Sequence, residues 1–357
     1  MPGLSPAKLQ QINDALLAAS PNAPASSLGF FTGAQPFGMA DDFKNPQSFQ
    51  FGLGMEREFA KNFTVGFDYS QINTTRLQRN RDINLPAPIL LSPSLDPARR
   101  PYFGVFRGRG LPSSVPLRDR PVPELGSIQI RESSTRSLYR AFTFRTRYSS
   151  DWLQLNTNYV YSTRFSDDDN ERSAGGTTYD KTFDLSSEYY YADLDVRHRF
   201  TANPEFFLPW DIQVSSAIRL RSGRPVNVTA NGDLNGDGTS NDRPYYAPGM
   251  PFKRNAFRNR DEFEVDLRIQ KGFSFGERSR LVLAAEFFNL FNSSNVQYSG
   301  GGTTRYCSSS NDRLCGFNGP TNSSFLQTTD SSGDLITFAN FAGSQVFQMQ
   351  LGTRFQF

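Results

Sequence analysis

The chain has 357 residues, with 38 Lys and Arg against 35 Asp and Glu, a formal charge of +3 and a single histidine, His198. So small a surplus, with Arg spread along the whole chain, excludes a nucleic-acid polyanion as partner. One His and no CxxC or HExxH spacing nearly exclude histidine acid-base chemistry and a zinc site. No nucleophile stands beside a base, so an enzyme is not expected. Aromatic residues reach 14%, yet mean hydropathy is −0.52 and no run approaches the roughly 20 apolar residues of a membrane helix. Those values fit a soluble domain, but they equally fit a membrane barrel, whose lipid-facing and lumen-facing residues alternate and cancel in any average.

The opening stretch MPGLSPAKLQQINDALLAASPNAPASS lacks the basic start and apolar core of a signal peptide. LQQINDALLAA is expected to form a short helix, and residues 1–46 are expected to be an external segment ahead of the first strand. From there the apolar positions recur with a period of two, the signature of a strand with one apolar face. SFQFGLGMEREF places Phe49, Phe51, Leu53, Met55 and Phe59 on one side, and FTVGFDYS places Phe63, Val65, Phe67 and Tyr69 there. LYRAFTFRTRY and WLQLNTNYVY follow, then DLDVRHRFTA with Leu194, Val196, His198, Phe200 and Ala202 on one face. DIQVSSAIRLR, DEFEVDLRIQK, RLVLAAEFFNLF and the terminal QVFQMQLGTRFQF complete a set of nine. Most of them are about ten residues long, the length that crosses a bilayer at a tilt.

The connections alternate short and long. AKN, SSD, PEFFLPW and SFGERS are short; between them lie stretches of about sixty, thirty, forty and fifty residues. Short periplasmic turns opposite long external loops are the mark of an outer-membrane barrel. The expected fold is therefore all-β, a transmembrane antiparallel β-barrel, with the last strand descending from outside to end at the periplasm. A soluble β-sandwich is the competing placement.

Within the third long connection, DLNGDGTSNDRP carries Asp233, Asn235 and Asp237, with Gly238 for the tight turn and Asn241 at the ninth position. This is the first half of a calcium loop, but its twelfth position is Pro244 instead of the bidentate Glu. Those four residues are the candidate metal ligands; Asx and Gly residues that merely shape a loop are the alternative. Asp167, Asp168, Asp169 and Glu171 form an acidic external stretch, expected to be solvated. RLQRNRD at 76–82 and RRPYFGVFRGRG at 99–110 interleave cations with aromatics in the first long connection, able either to meet lipopolysaccharide phosphates or a sugar-bearing ligand, or to pack against the mouth. Cys307 and Cys315 flank a Gly/Ser/Asn-rich loop where an exported protein could close a small disulfide; free thiols are the alternative. Glu264, Asp266 and Arg268 are expected to face the lumen and pair across strands.

With the strands placed, NPQSFQFGLGMEREF, SSTRSLYRAFTFRTRY, DVRHRF with a later RSGRP, DLNGDGTSNDRP, VDLRIQKGFSFGERSRLVLAAEFFNLFNSSN and the terminal aromatic Phe357 occur in an order that resembles the C-terminal barrel part of an outer-membrane TonB-dependent transporter. Within that group the chain resembles the Oar-like branch, whose members carry a carboxypeptidase-regulatory-like domain at the front. The resemblance implies the outer membrane of a Gram-negative bacterium, contact with its lipid and lipopolysaccharide, and recognition of Phe357 by the barrel-insertion machinery. It also implies import of a large or scarce solute through a barrel of about twenty-two strands, these being the last nine. No resident cofactor is expected, a calcium ion in the Asx–Gly loop being the one candidate. Plug domain and TonB-contacting box would lie ahead of Met1, so the barrel is incomplete here and the chain is expected to be a fragment. A passive porin, a surface adhesion barrel and a non-functional truncated remnant are the alternative functions.

Overall fold

The computed structural model describes residues 35–104, 115–123, 125–168, 179–181, 183–276, 279–298, 302–310, 312–329, 332 and 346–357. Nine long strands run β1 (Gln47–Ala60), β2 (Phe63–Asp82), β3 (Gln129–Ser149), β4 (Leu153–Ser166), β5 (His198–Leu208), β6 (Ile212–Arg221), β7 (Glu262–Phe275), β8 (Ser279–Phe288) and β9 (Gln348–Gln356). Each pairs antiparallel with the strand before and after it in sequence, giving an up-and-down sheet with β1 and β9 at its edges. Among the described residues neither edge has a further long strand beside it, and the barrel is not closed. The expected all-β, antiparallel and unclosed fold is the one found.

Register carries the alternation from strand to strand. Met55, Phe67, Phe144, Tyr159, Phe200, Leu220 and Phe263 stand opposite one another across β1 to β7. Further along, Val214, Ile269, Ala285 and Leu351 do the same across β6 to β9. One residue away, Glu56, Gly66, Arg145, Asn158, Thr201, Arg219 and Glu264 form the matching row of the other face. Among the described residues no second layer covers the apolar face: Phe49, Leu53, Met55, Phe144, Leu351 and Phe355 are all exposed. A soluble sandwich would bury these side chains against another sheet, so that placement fails.

The polar face neutralises itself. Arg145 reaches Asp68 at 2.7 Å; Arg219 reaches Glu264 at 2.5 Å and Asp266 at 3.0 Å; Arg268 reaches Glu286 at 3.1 Å. The expected cross-strand pairing of Glu264, Asp266 and Arg268 is thus present.

Three boundaries differ from the sequence expectation. RLQRNRD belongs to β2, not to a loop, because β2 and β3 stay paired, through register shifts between Thr75 and Leu77 and between Leu77 and Arg79, up to Asp82 and Gln129. The fifth strand starts at His198 and runs on to Leu208, with its turn at Pro209–Asp211. Asp193–Arg197 leave the sheet because Asp195 is buried and bonded to the Arg164 amide and the Arg258 guanidinium, which outweighs local alternation. Finally, Phe37–Met39, inside the segment expected to be a plain external loop, pairs parallel with Gln129–Arg131. The expected helix in LQQINDALLAA lies outside the described residues.

Ile269 sits mid-strand on the apolar face and Gln270 on the other. Ile269→Arg should destabilise the protein refolded in lipid by about 2–4 kcal/mol, while Gln270→Arg changes stability by under about 1 kcal/mol. Equal losses in bilayer unfolding titrations would mean the faces are assigned wrongly.

Candidate functional site

Long stretches of chain cannot leave the sheet without satisfying their own backbone and charges. All four long connections depart from the same end of the strands, and their described residues fold into one packed cap. Its first layer continues β2 and β3 above the apolar belt. There Glu132 takes Arg79 Nε at 2.5 Å and Arg81 Nε at 3.0 Å, and Arg120 Nη1 donates to Asp82 Oδ2 at 3.1 Å. Arg79 also lies over the Tyr179 ring and Arg81 over Phe183. These buried guanidiniums serve the packing of the mouth, the second of the two roles the sequence left open. Of the other Arg-rich stretch, Arg100 is 1% exposed, bonds the Arg313 carbonyl at 2.9 Å and lies 4.4 Å from the centroid of Tyr245; residues 105–110 lie outside the described residues.

Asp167 and Asp168 are not solvated as expected. Both are buried, Asp167 accepting from the Arg136 amide at 2.6 Å, and burial pushes its carboxyl above the usual range. Asp169 and Glu171 lie outside the described residues.

Asp233, Asn235, Asp237 and Asn241 come together on one tight loop. Asp233 accepts from the amides of Gly236 at 2.6 Å and Gly238 at 2.9 Å; Asn235 accepts from Asp237 N at 2.8 Å; Asp237 accepts from Thr239 N at 2.8 Å. Thr239 Oγ1 donates to Asn241 Oδ1. Gly236 and Gly238 have φ of +79° and +95°, and a Cβ on Gly236 would meet the Tyr102 ring at 2.8 Å, so glycine is required twice over. The loop is also the junction of the cap. Asn235 O accepts from Phe103 N and Gly236 O from Val115 N, both at 2.8 Å, in the first connection. Asn235 Nδ2 donates to Asp180 O at 3.1 Å in the second, and Arg313 Nη1 reaches Leu234 O at 3.4 Å in the fourth.

Two acids that the sequence analysis did not single out complete this centre. Asp242, 0% exposed, accepts from the amides of Leu234 and Asn235 through Oδ2, while its Oδ1 has no hydrogen-bond partner among the described residues. Asp180 accepts from Arg243 N and from Tyr245 Oη, both at 3.0 Å. Burial, with Asp237 adding repulsion, pushes Asp233 up to about 7, and burial together with Asp237, Asp180 and Asp233 drives Asp242 well above the carboxylate range. The signal for Asp242 was available, since it lies at the tenth position of the quoted motif; Asp180 is fifty-five residues from Asn235 and had none. Among the described residues no three His, Cys, Asp or Glu side chains converge as a ready metal cage.

Beside this centre an apolar core holds the third and fourth connections together: Val226, Val228, Ala230, Leu234 and Tyr306, closed by a Cys307–Cys315 disulfide and flanked by Phe252, Phe257 and Phe325. The bridge left open by the sequence is formed. Removing it with paired Ser substitutions should cost about 2.5 kcal/mol from loop entropy alone, and faster proteolysis of the cap than of the strands is the measurable sign.

Glu132 lies above the belt. Burial acts to raise its pKa, but Arg79 and Arg81 outweigh burial and hold it below the usual carboxylate value. Its stabilising share is therefore complete above the unfolded-state pKa and lost as pH falls through the folded one. At neutral pH Glu132→Gln should cost about 2–3 kcal/mol, and that difference should vanish in melts taken below the carboxylate range. A difference independent of pH would refute the assignment.

The profile of a family described as an outer membrane beta barrel domain matches residues 4–254. No curated protein matches the chain. Among solved structures it is similar to the outer membrane transporter YddB from Escherichia coli, at 11% identity and a TM-score of 0.44, covering 73% of this chain and 31% of that one. It is also similar to the pyoverdine outer membrane receptor FpvA from Pseudomonas aeruginosa PAO1, at 9% identity and 0.38, covering 75% and 28%. The FrpB iron transporter from Neisseria meningitidis gives 10% and 0.38, covering 72% and 29%. The chain thus spans about a third or less of the length of these proteins.

Proposed function

Because the chain belongs to the outer membrane beta barrel domain family and so resides in the outer membrane of a Gram-negative bacterium, we propose that it forms part of the wall and external cap of an energised, TonB-dependent importer of the Oar-like kind. The observation that carries this reading is the combination of a polar, self-neutralised strand face with a folded cap at one end of it. A wall built only for passive flux needs no cap tied together by buried ion pairs and a disulfide. The groove on the polar face beside Arg145, Arg147, Asn156 and Asn203 is a surface on which a plug could seat. Edge strands β1 and β9 are exposed along their whole length, and lipid cannot satisfy unpaired strand edges. Further strands beside them complete the wall.

Phe357, 95% exposed, is the terminal aromatic that the insertion machinery reads in this proposal, and lipopolysaccharide and lipid bathe the apolar face. The coupling to TonB belongs to segments outside this chain.

Two measurements test the reading. Extracted from its native outer membrane, the protein should show an intact mass well above 40.1 kDa, or a partner that supplies the remaining strands. In planar bilayers it should pass no steady current, and solute uptake in cells should stop when the proton gradient is collapsed. A steady ohmic current with uptake that ignores the gradient would make it a passive porin.

A further inference from the structure

The alternation that puts Phe67, Phe144 and Tyr159 on the lipid side puts charge there too, further up the same strands. On β3, Arg140 and Arg136 share the parity of Phe142 and Phe144 and stand opposite Gln71 and Thr75 of β2. An arginine on that face is costly at mid-membrane and costs little near the interface, so these two mark where the apolar layer ends. Tyr69, Phe142 and Tyr161, in the row two residues below Arg140, form its aromatic border. Two residues along a tilted strand rise about 5 Å. That puts Arg140 in a polar headgroup layer roughly 5–8 Å deep.

The two guanidiniums flank one ring and lack the partners found on the other face. Arg136, its side chain 62% exposed, lies 4.4 Å from the centroid of Tyr189, which stacks on Phe165. Arg136, Asp167 and Arg140 are the charges that act on the Tyr189 hydroxyl. Arg140 is exposed and donates through Nε to Gln71 Oε1 at 3.2 Å, an oxygen that also takes Tyr69 Oη at 2.8 Å. Among the described residues no carboxylate pairs with Arg140, and Arg136 has only the buried Asp167, 4.0 Å from its Nε. On the polar face, by contrast, Arg145, Arg219 and Arg268 each hold a carboxylate within 3.1 Å.

We propose that Arg136 and Arg140 seat a phosphate group of lipopolysaccharide in the outer leaflet, with the Tyr189 and Phe165 rings as the surface beside it. Guanidiniums donate to phosphate as a planar fork, and one lying on a ring still presents its N–H edge. The seat is on β3, away from the Arg-rich stretches that the sequence offered for this contact. It rests on the proposed orientation, with the cap outside the cell.

The full protein, extracted from its native outer membrane and freed of lipid in mild detergent, is titrated with lipid A, with dephosphorylated lipid A and with inorganic phosphate. Lipid A should bind at least about ten-fold more tightly than its dephosphorylated form. The doubly substituted Arg136→Gln, Arg140→Gln protein should lose that preference, and Arg280→Gln, at the opposite end of the sheet, should keep it. No preference in the wild type, or an unchanged one in the double variant, overturns the proposal. Should the variant fold poorly, phenylglyoxal modification of the wild type decides. Lipid A must then shield Arg136 and Arg140 in peptide maps where its dephosphorylated form does not. Equal modification, or equal shielding by inorganic phosphate, overturns the seat. Protease added to intact cells checks the orientation separately. A cap it cannot cut overturns the orientation and the seat with it, whereas failed binding with a cleavable cap overturns the seat alone.

Discussion

Backbone pairing between neighbouring strands is the constraint on which everything else in this molecule rests. A strand whose apolar face meets lipid has no water to take its N–H and C=O groups, so each must bond to the next strand. Between its two edge strands the nine-strand sheet meets that demand without a crossover, and β2, β3 and β4 hold their register over thirteen paired positions. Pairing in turn fixes the faces: a slip of one residue would rotate Phe67, Phe144 and Tyr159 to the polar side. The Arg–carboxylate pairs of that side depend on the same register, since Arg219 meets Glu264 directly across β6 and β7.

Above the belt the problem changes. The long connections have water available, yet they bury Arg100, Asp180, Glu188, Asp195, Asp242 and Arg243. Such burial is tolerable only when each group is bonded, and the bonds found run between connections more than within them. Arg243 of the third pairs with Glu188 of the second, Arg258 of the third with Asp195 of the second, and Arg100 of the first bonds Arg313 of the fourth. The cap is therefore a single cooperative layer. Its junction, residues 233–242, has backbone or side-chain bonds to each of the other three connections.

Alternation of apolar and polar residues made the nine strands, the sheet's two faces and the short turns legible, because a strand's period of two is local and survives in any register. It even assigned Glu264, Asp266 and Arg268 to the face where they pair. Alternation failed where a distant partner outweighed it. Asp193–Arg197 alternate well enough for a strand, but Asp195 is claimed by Arg164 and Arg258. RLQRNRD was too polar to register as a strand, yet it pairs with β3 because Glu132 neutralises Arg79 and Arg81 from across the ladder.

The candidate site divides along the same line. The amino-acid sequence by itself determined the Asx–Gly loop, since Asp233, Asn235, Asp237 and Gly238 form their turns with residues two to five positions away. It likewise determined the strand period and the aromatic terminus. Only the tertiary structure decided that Asp180 and Tyr245 stand beside that loop, that Asp242 is wholly enclosed, and that Cys307 and Cys315 close on an apolar core. Those outcomes depend on burial and on charges far apart in the chain, and neither quantity exists until the connections have folded against one another.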